Sequence, residues 1–190
     1  MKVLEVINFI IYWSIVAMPF SVAIAPGLAN AFIGLFSVFF IIKKLIIRKP
    51  IFTDRLILVF FGLFFVASAI SIINSVSYSA SFQGIAKLLK YALIFLVCSE
   101  EIKDKKHIAR IIIAICSGIC LASIDALWQM VFGYDFIHHI AMQSAIGLPR
   151  PTAAFPNPNV FGIYMTALTP LIFGLTFFYF KGKSKVLMFF

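Results

Sequence analysis

Long apolar runs, separated by short polar clusters, dominate the pattern of residues along the chain. No charged residue occurs between Glu5 and Lys43, and none occurs between Arg55 and Lys87. A helix that crosses a membrane needs about 20 mostly apolar residues. The runs are continuous and lack the period-2 alternation of membrane strands. The pattern therefore predicts membrane-spanning helices.

Breaks in the runs divide them into spans. Pro26 and Gly27 split the first run near its middle and predict a turn between two helices. A polar break follows the third span, and its residues are Asn74, Ser75, Ser77 and Ser79. The predicted spans are residues 5–24, 28–47, 55–74, 82–99, 107–127 and 159–180. Residues 128–158 form the longest loop.

The first span also has a feature of secretory signal peptides. Ala23-Ile24-Ala25 resembles a cleavage site for signal peptidase. Pro26 follows directly and should block cleavage, and a second apolar run begins at once. We therefore expect the first span to be retained as a membrane helix.

Composition agrees with this pattern. Of 190 residues, 63% are hydrophobic and 12% are charged, whereas soluble domains are roughly half apolar and about a quarter charged. A soluble fold this apolar would expose aggregating patches. The predicted fold is a single all-α domain, a polytopic membrane bundle of about six transmembrane helices. Three cysteines lie in the apolar runs without histidine or carboxylate at metal-ligand spacing, so neither a metal nor a cofactor is expected.

The distribution of basic residues predicts the orientation. The net charge of +9 would suggest nucleic acid as a partner of a soluble protein, but here three clusters flank the apolar runs, which does not favour nucleic acid. They are Lys43, Lys44, Arg48, Lys49 and Arg55; Lys103, Lys105, Lys106 and Arg110; and Lys181, Lys183 and Lys185. The positive-inside rule makes these clusters cytoplasmic. The N-terminus is then cytoplasmic, the 128–158 loop lies outside, and Trp128 and Tyr134 suit an outer aromatic belt.

The last residues have an apolar sequence of their own. Val186-Leu187-Met188-Phe189-Phe190 looks like the opening of a seventh span. We therefore expect this sequence to be the N-terminal part of a longer protein. A stop codon with no downstream membrane-protein reading frame would contradict that expectation.

Lys87 and Lys90 are unusual for a predicted span. They lie three residues apart and share one helix face, and a start near Phe82 places Lys90 about 12 Å along the helix. Charges at such depth usually mark a function, and here the two cations would face a cavity that holds an anionic group. Alternatively, both side chains reach the outer headgroups.

The end of the predicted outer loop is a second candidate. Four prolines stiffen residues 147–158, Arg150 lies between two of them, and Asn159 is placed to cap the sixth span. An arginine beside a helix N-terminus is a good phosphate receptor. The alternative is a rigid turn with an ordinary cap and a surface arginine that meets lipid headgroups.

Four further polar residues are weaker candidates. His138 and His139 lie in the same loop, where a histidine can act as a general base or serve a structural role. Asp125 and Gln129 lie four apart near the outer end of the fifth span and either line the same cavity or bond to a neighbouring helix. The sequence contains no nucleotide-binding loop, zinc-protease motif or nucleophile elbow.

The sequence from Arg150 to Gly162 resembles the signature of the O-antigen ligase and polymerase family. That signature is an arginine, small residues, a phenylalanine, a turn, Pro-Asn and then a small residue. Its places are taken here by Arg150, Phe155, Pro158, Asn159 and Gly162. Gln129, Gly133-Tyr134-Asp135 and Lys87-Leu-Leu-Lys-Tyr91 are softer matches, and the resemblance covers roughly residues 55–180.

The resemblance implies a membrane glycosyltransferase that needs no metal. Such proteins transfer a glycan from an undecaprenyl-diphosphate carrier to lipid A-core or to a growing glycan at the periplasmic face of the bacterial inner membrane. Arg150, and less directly Lys87 and Lys90, would bind the diphosphate, while Phe155, Pro158, Asn159 and Gly162 would shape the loop and helix start. Family members have about a dozen spans, and their catalytic loop lies C-terminal to this region, so the catalytic base is not assigned.

Two other functions remain open at this stage. Intramembrane lysines suit a transporter or channel subunit for an anionic or lipid-linked substrate, although the sequence shows no inverted repeat. A truncated, inactive remnant would keep the anion site without the base. The sequence does not distinguish ligation from polymerisation, nor does it identify the glycan or the acceptor.

Overall fold

The computed structural model describes residues 2–48, 50, 55–73, 75–145 and 148–179. These residues form six α-helices and a short antiparallel pair of strands. The helices are α1 (Lys2–Ile24), α2 (Pro26–Ile47), α3 (Arg55–Ile70), α4 (Tyr78–Glu101), α5 (Lys105–Phe132) and α6 (Pro158–Tyr179). The strands β1 (Gln143–Ala145) and β2 (Leu148–Arg150) lie between α5 and α6. The predicted all-α class is confirmed, and the small hairpin is an addition that the sequence pattern did not predict.

Four helices, α1, α2, α4 and α5, are long and apolar enough to cross a membrane by length and composition. Helix α3 has only 16 residues, which span about 24 Å at 1.5 Å per residue, less than the ~30 Å of a hydrocarbon core. The structure therefore supports a membrane protein made of apolar helices. Residues 186–190, the predicted opening of a seventh span, lie outside the described residues.

Several helix boundaries differ from the predicted ones. Helix α2 begins at Pro26, inside the predicted turn, and α3 ends at Ile70 rather than at residue 74. Two further differences concern the candidate residues. Helix α4 begins at Tyr78 rather than Phe82, because the Ser77 hydroxyl caps it by accepting from the Ala80 N–H at 3.5 Å. Serines that the sequence pattern assigned to a polar break therefore start the helix. Helix α5 continues to Phe132 rather than ending at residue 127. The loop that joins α5 to α6, here called the α5–α6 loop, thus comprises residues 133–157.

The chain divides into two compact units. Unit 1 consists of Met1–Trp13 and Ile33–Asp104, and Phe36 and Phe40 are fully buried in it. Lys43 Nζ lies 2.8 Å from a Glu101 carboxylate oxygen, and Lys44 forms an ion pair with Glu100. These two pairs join the C-terminal end of α2 to the C-terminal end of α4.

Unit 2 consists of Ser14–Phe32 and Lys105–Phe190. Its core combines small residues with two aromatic rings, and its buried members are Ala23, Ala122, Ala126, Ala153, Phe155 and Tyr164. Small side chains allow helix backbones to approach closely in a membrane. At Gly118 an added Cβ would lie 2.8 Å from the Tyr164 hydroxyl and 3.5 Å from Ala23 Cβ. Unit 2 also contains the α5–α6 loop and its candidate residues.

Candidate functional site

The first part of the α5–α6 loop is a tight turn built around the Asp135 carboxylate. Asp135 is fully buried, and its oxygens accept from the His138 N–H at 2.6 Å and from the Ile140 N–H at 2.5 Å. Gly133 has φ of +83° and His139 has φ of +57°, the left-handed conformation that tight turns use. The carboxylate therefore holds the turn together.

A second buried carboxylate attaches this turn to α5. Asp125 is fully buried, and its Oδ1 accepts from the Phe136 N–H at 2.8 Å. Its Oδ2 is buried and has no hydrogen-bond partner among the described residues. Buried carboxylates that accept backbone N–H groups are common positioning devices. Asp125 and Asp135 thus hold the loop and are not presented to solvent.

Gln129, one turn after Asp125, joins two segments of the α5–α6 loop to α5, one at Ile140 and the other at Thr152 and Ala153. Its Oε1 accepts from the N–H groups of Thr152 at 2.7 Å and Ala153 at 3.1 Å. Its Nε2 donates to the Ile140 carbonyl and to Thr152 Oγ1, both at 3.2 Å. Gln129 and Thr152 are fully buried. A single amide therefore satisfies polar groups from two distant segments, as buried polar groups require.

Arg150 ends β2 and is exposed. Its Nη2 donates to Asn159 Oδ1 at 3.3 Å, which brings the guanidinium beside the first turn of α6. Arg150 forms no ion pair with any carboxylate in the described part of the chain. Its positive charge is therefore available to an anion from solution.

The prediction that Asn159 caps the sixth helix is wrong. Helix α6 begins at Pro158, and the Val160 N–H donates to Asn157 Oδ1 at 2.9 Å. Asn157 is thus the cap, and Pro158 takes the first helical position, where its fixed φ suits the helix and its missing N–H costs nothing. Asn159 lies inside the first turn, where its side chain accepts from Arg150.

The other two residues of the signature differ in their surroundings. Phe155 is 2% exposed and packs against Tyr164, with ring centroids 4.8 Å apart. It anchors the end of the loop in the core of unit 2. Gly162 lies on α6 with nothing within 4 Å of an added Cβ, so nothing in its surroundings requires glycine.

Lys87 and Lys90 belong to unit 1 and lie deeper in α4 than predicted. Because the helix begins at Tyr78, Lys90 lies about 18 Å along it rather than about 12 Å. Lys87 is exposed and Lys90 is half-buried, with its Nζ 5.2 Å from the centroid of the Tyr91 ring. Both cations therefore lie near the middle of an apolar helix.

The two loop histidines are both exposed. His138 Nδ1 lies 3.7 Å from Asp135 Oδ2, and the His139 ring lies 5.6 Å from the Tyr134 ring. His138 is thus placed to interact with a carboxylate that already accepts two backbone N–H groups. In the part of the chain that the structure describes, no group of three or more His, Cys, Asp or Glu side chains is arranged to hold a metal ion.

Sequence reasoning missed Thr152 and gave Asp135 no physical role. Thr152 is fully buried beside Gln129, and its sequence neighbours give no sign of that contact. For Asp135 a signal was present, since an acidic residue shortly after a helix-ending glycine is typical of a turn that bonds its own backbone. Comparison with models of protein families, with characterised proteins and with solved structures finds no match.

Proposed function

We propose that this chain is part of a membrane glycosyltransferase of the O-antigen ligase and polymerase type. It would bind an undecaprenyl-diphosphate-linked glycan at the periplasmic face of the bacterial inner membrane. The glycan would pass to lipid A-core or to a growing polysaccharide. Arg150 would bind the diphosphate, and the α5–α6 loop would hold Arg150 in place.

The observation that carries this proposal is the setting of Arg150. An exposed guanidinium without a described carboxylate partner lies beside the start of a 22-residue helix. A guanidinium fork matches phosphate oxygens, and the first turn of a helix favours anions. A diphosphate leaving group gains negative charge as its bond to the sugar breaks, and a fixed cation stabilises that charge. The family signature in the sequence supplies the substrate class.

The proposal also requires a topology with six spans, a cytoplasmic N-terminus and the α5–α6 loop outside. The ion pairs Lys43–Glu101 and Lys44–Glu100 support it, because they put the C-terminal ends of α2 and α4 on one side. That side carries two of the basic clusters, as the positive-inside rule requires. In a background in which Cys98, Cys116 and Cys120 are replaced by serine, Pro151→Cys should react with a membrane-impermeant maleimide in intact cells, and Asp104→Cys should react only after lysis. Labelling of both from one side would exclude this topology.

The functional test is replacement of Arg150. Arg150→Ala should abolish glycan transfer, and Arg150→Lys should retain a fraction of it, because a lysine keeps the charge but loses the bidentate geometry. The assay expresses the full-length gene in a strain without its own ligase or polymerase and reads surface glycan on a gel. Arg110→Ala is the matched control, because Arg110 is an exposed arginine near the N-terminal end of α5, away from the α5–α6 loop. Unchanged transfer in Arg150→Ala at normal membrane abundance would contradict the proposal.

A second candidate function is anion passage, which Lys87 and Lys90 favour because they lie near the middle of α4. A transporter or channel subunit would lose anion flux into proteoliposomes when both lysines are changed to glutamine. A glycosyltransferase would show no such flux in the unmodified protein. Absence of flux in the unmodified protein would exclude this candidate.

A further inference from the structure

The chain segment 141–143 is paired along both of its edges. On one edge, Tyr134 and Ala141 form an antiparallel bridge, with the Met142 N–H donating to the Gly133 carbonyl at 2.7 Å and the Asp135 N–H donating to the Ile140 carbonyl at 3.0 Å. On the other edge, Gln143 is the partner of Arg150 in the β1–β2 pair. The result is the two-stranded sheet β1–β2 with one further bridge, Tyr134–Ala141, on the outer edge of the segment that leads into β1, and this arrangement is here called the ribbon.

This register fixes which side chains share a face. Residues directly opposite one another in a ladder point to the same side, and so do residues two apart in one strand. Tyr134 is opposite Ala141, Gln143 is two residues further on, and Arg150 is opposite Gln143. These four residues therefore line one face, here called the ribbon face. All four are exposed.

Contacts with the start of α6 agree with this assignment. Gln143 Nε2 donates to the Pro156 carbonyl at 3.3 Å, and Arg150 Nη2 donates to Asn159 Oδ1 at 3.3 Å. Gln143 and Arg150 thus both reach the start of α6, as side chains on one face of a ribbon would. The Gln143 Oε1 has no described partner, which leaves it able to accept from a hydroxyl group.

The opposite end of the ribbon face carries an aromatic ring on a fixed backbone. Tyr134 is 39% exposed, and its ring lies near the rings of Phe132 and His139, with centroids 6.5 Å and 5.6 Å away. The backbone on either side of it is fixed by Asp135 and by the bond from Gln129 to Ile140. Ala141, whose side chain is a single methyl group, lies between the tyrosine and Gln143 on this face.

The dimensions suit one sugar and its phosphates. Tyr134 and Arg150 are two strands apart and offset by two residues, which is roughly 12 Å between their Cα atoms. A pyranose ring has a flat face of C–H groups that packs against aromatic rings, while its hydroxyls bond to amides. A sugar 1-diphosphate carries the anion and the ring next to one another, in the same order as Arg150, Gln143 and Tyr134.

We propose that the ribbon face binds a sugar 1-diphosphate. Arg150 holds the diphosphate, Gln143 accepts from a hydroxyl of the sugar, and Tyr134 packs against the face of that sugar. The proposal rests on the proposed function for the diphosphate and adds the sugar-binding residues. Tyr134 is thus a residue that selects for a sugar attached to the diphosphate.

The test compares two ligands of equal charge that differ only in the group on the second phosphate. They are farnesyl diphosphate esterified there with methyl and farnesyl diphosphate esterified there with N-acetylglucosamine, each titrated calorimetrically against the protein in lipid nanodiscs. The protein should prefer the sugar-bearing ligand by about fivefold, ~1 kcal/mol. Tyr134→Leu should reduce that preference to about one, and Tyr134→Phe should restore it because the ring remains. Tyr78→Leu, an exposed tyrosine of α4, is the matched control and should keep the preference.

The two proposals fail in different ways. If Arg150→Ala leaves the affinity for both ligands unchanged, the diphosphate site of the proposed function is wrong. If Arg150→Ala weakens both ligands but Tyr134→Leu keeps the full preference, only the sugar-binding role is overturned, and Tyr134 serves instead as an anchor at the membrane surface. If Tyr134→Leu and Tyr134→Phe weaken both ligands equally, Tyr134 is structural and the sugar-binding role is again overturned.

Discussion

Replacement of Gln129 by methionine should loosen the α5–α6 loop while leaving the helices intact. Methionine has nearly the same length and volume, so packing changes little, but it cannot accept from Thr152 and Ala153 or donate to Ile140. The buried N–H groups of Thr152 and Ala153 would then have no acceptor, whereas the Ile140 carbonyl would keep the bond from the Asp135 N–H. Thr152 and Ala153 are both fully buried, so water cannot reach them unless the loop moves.

The magnitude follows from those lost partners. A buried donor or acceptor left unsatisfied costs about 1–3 kcal/mol. The two N–H groups bond to water once the loop opens, so the cost is relieved in the open loop. We therefore expect the free energy of loop opening to fall by ~3 kcal/mol, which is an increase of about 100-fold in the population of the open loop.

Hydrogen–deuterium exchange of the protein in nanodiscs measures this directly. The amides of Thr152 and Ala153 should exchange about 100-fold faster in Gln129→Met, while the amides in the middle of α5 keep their rates. Gln143→Met, which removes one bond from an exposed side chain, is the matched control and should change these rates less than threefold. Equal rates for Thr152 and Ala153 in Gln129→Met and the unmodified protein would refute the clamping role of Gln129.

Two further changes test the packing of unit 2 and the start of α6. Gly118→Ala should lower the free energy of unfolding by about 2 kcal/mol, because its Cβ would lie 2.8 Å from the Tyr164 hydroxyl. Adding Tyr164→Phe removes that hydroxyl and should recover much of the lost stability. A double variant no more stable in thermal unfolding than Gly118→Ala would argue against this clash. Asn157→Ala should destabilise the first turn of α6 by ~1 kcal/mol, seen as faster amide exchange at Val160. Asn159→Ala should leave that exchange unchanged, and the reverse result would show that Asn159 is the cap.

Most of the helices could be predicted from the sequence, because a long apolar stretch is by itself enough to indicate a membrane helix. Their ends could not be predicted equally well, since a cap depends on which of several polar residues the backbone uses. Ser77 and Asn157 cap α4 and α6, whereas the pattern favoured Phe82 as a start and Asn159 as a cap. Two asparagines flank Pro158, and only the preference of proline for the first helical position distinguishes them.

The candidate site was predictable only where a single residue carries the chemistry. Arg150 stands out as a lone cation between prolines, and the structure shows it exposed beside α6. The role of Gln129 was not predictable in the same way. Its partners lie 11, 23 and 24 residues away and are mostly backbone atoms. Every residue has these atoms, so the sequence does not show which of them Gln129 will contact. The ribbon face could not be predicted either, because it depends on the register of backbone pairing rather than on residue type.

The ion pairs at the ends of α2 and α4 bear on the order of events during synthesis. Lys43 and its partner Glu101 are separated by 58 residues, and a ribosome that adds 5–20 residues per second needs roughly 3–12 s to cover that distance. The lysines are thus unpaired when they are synthesised, and in the proposed topology their full charge would fix the orientation of the first helices. The same residues would then serve first as a topology signal and later, once Glu100 and Glu101 are made, as one half of two ion pairs.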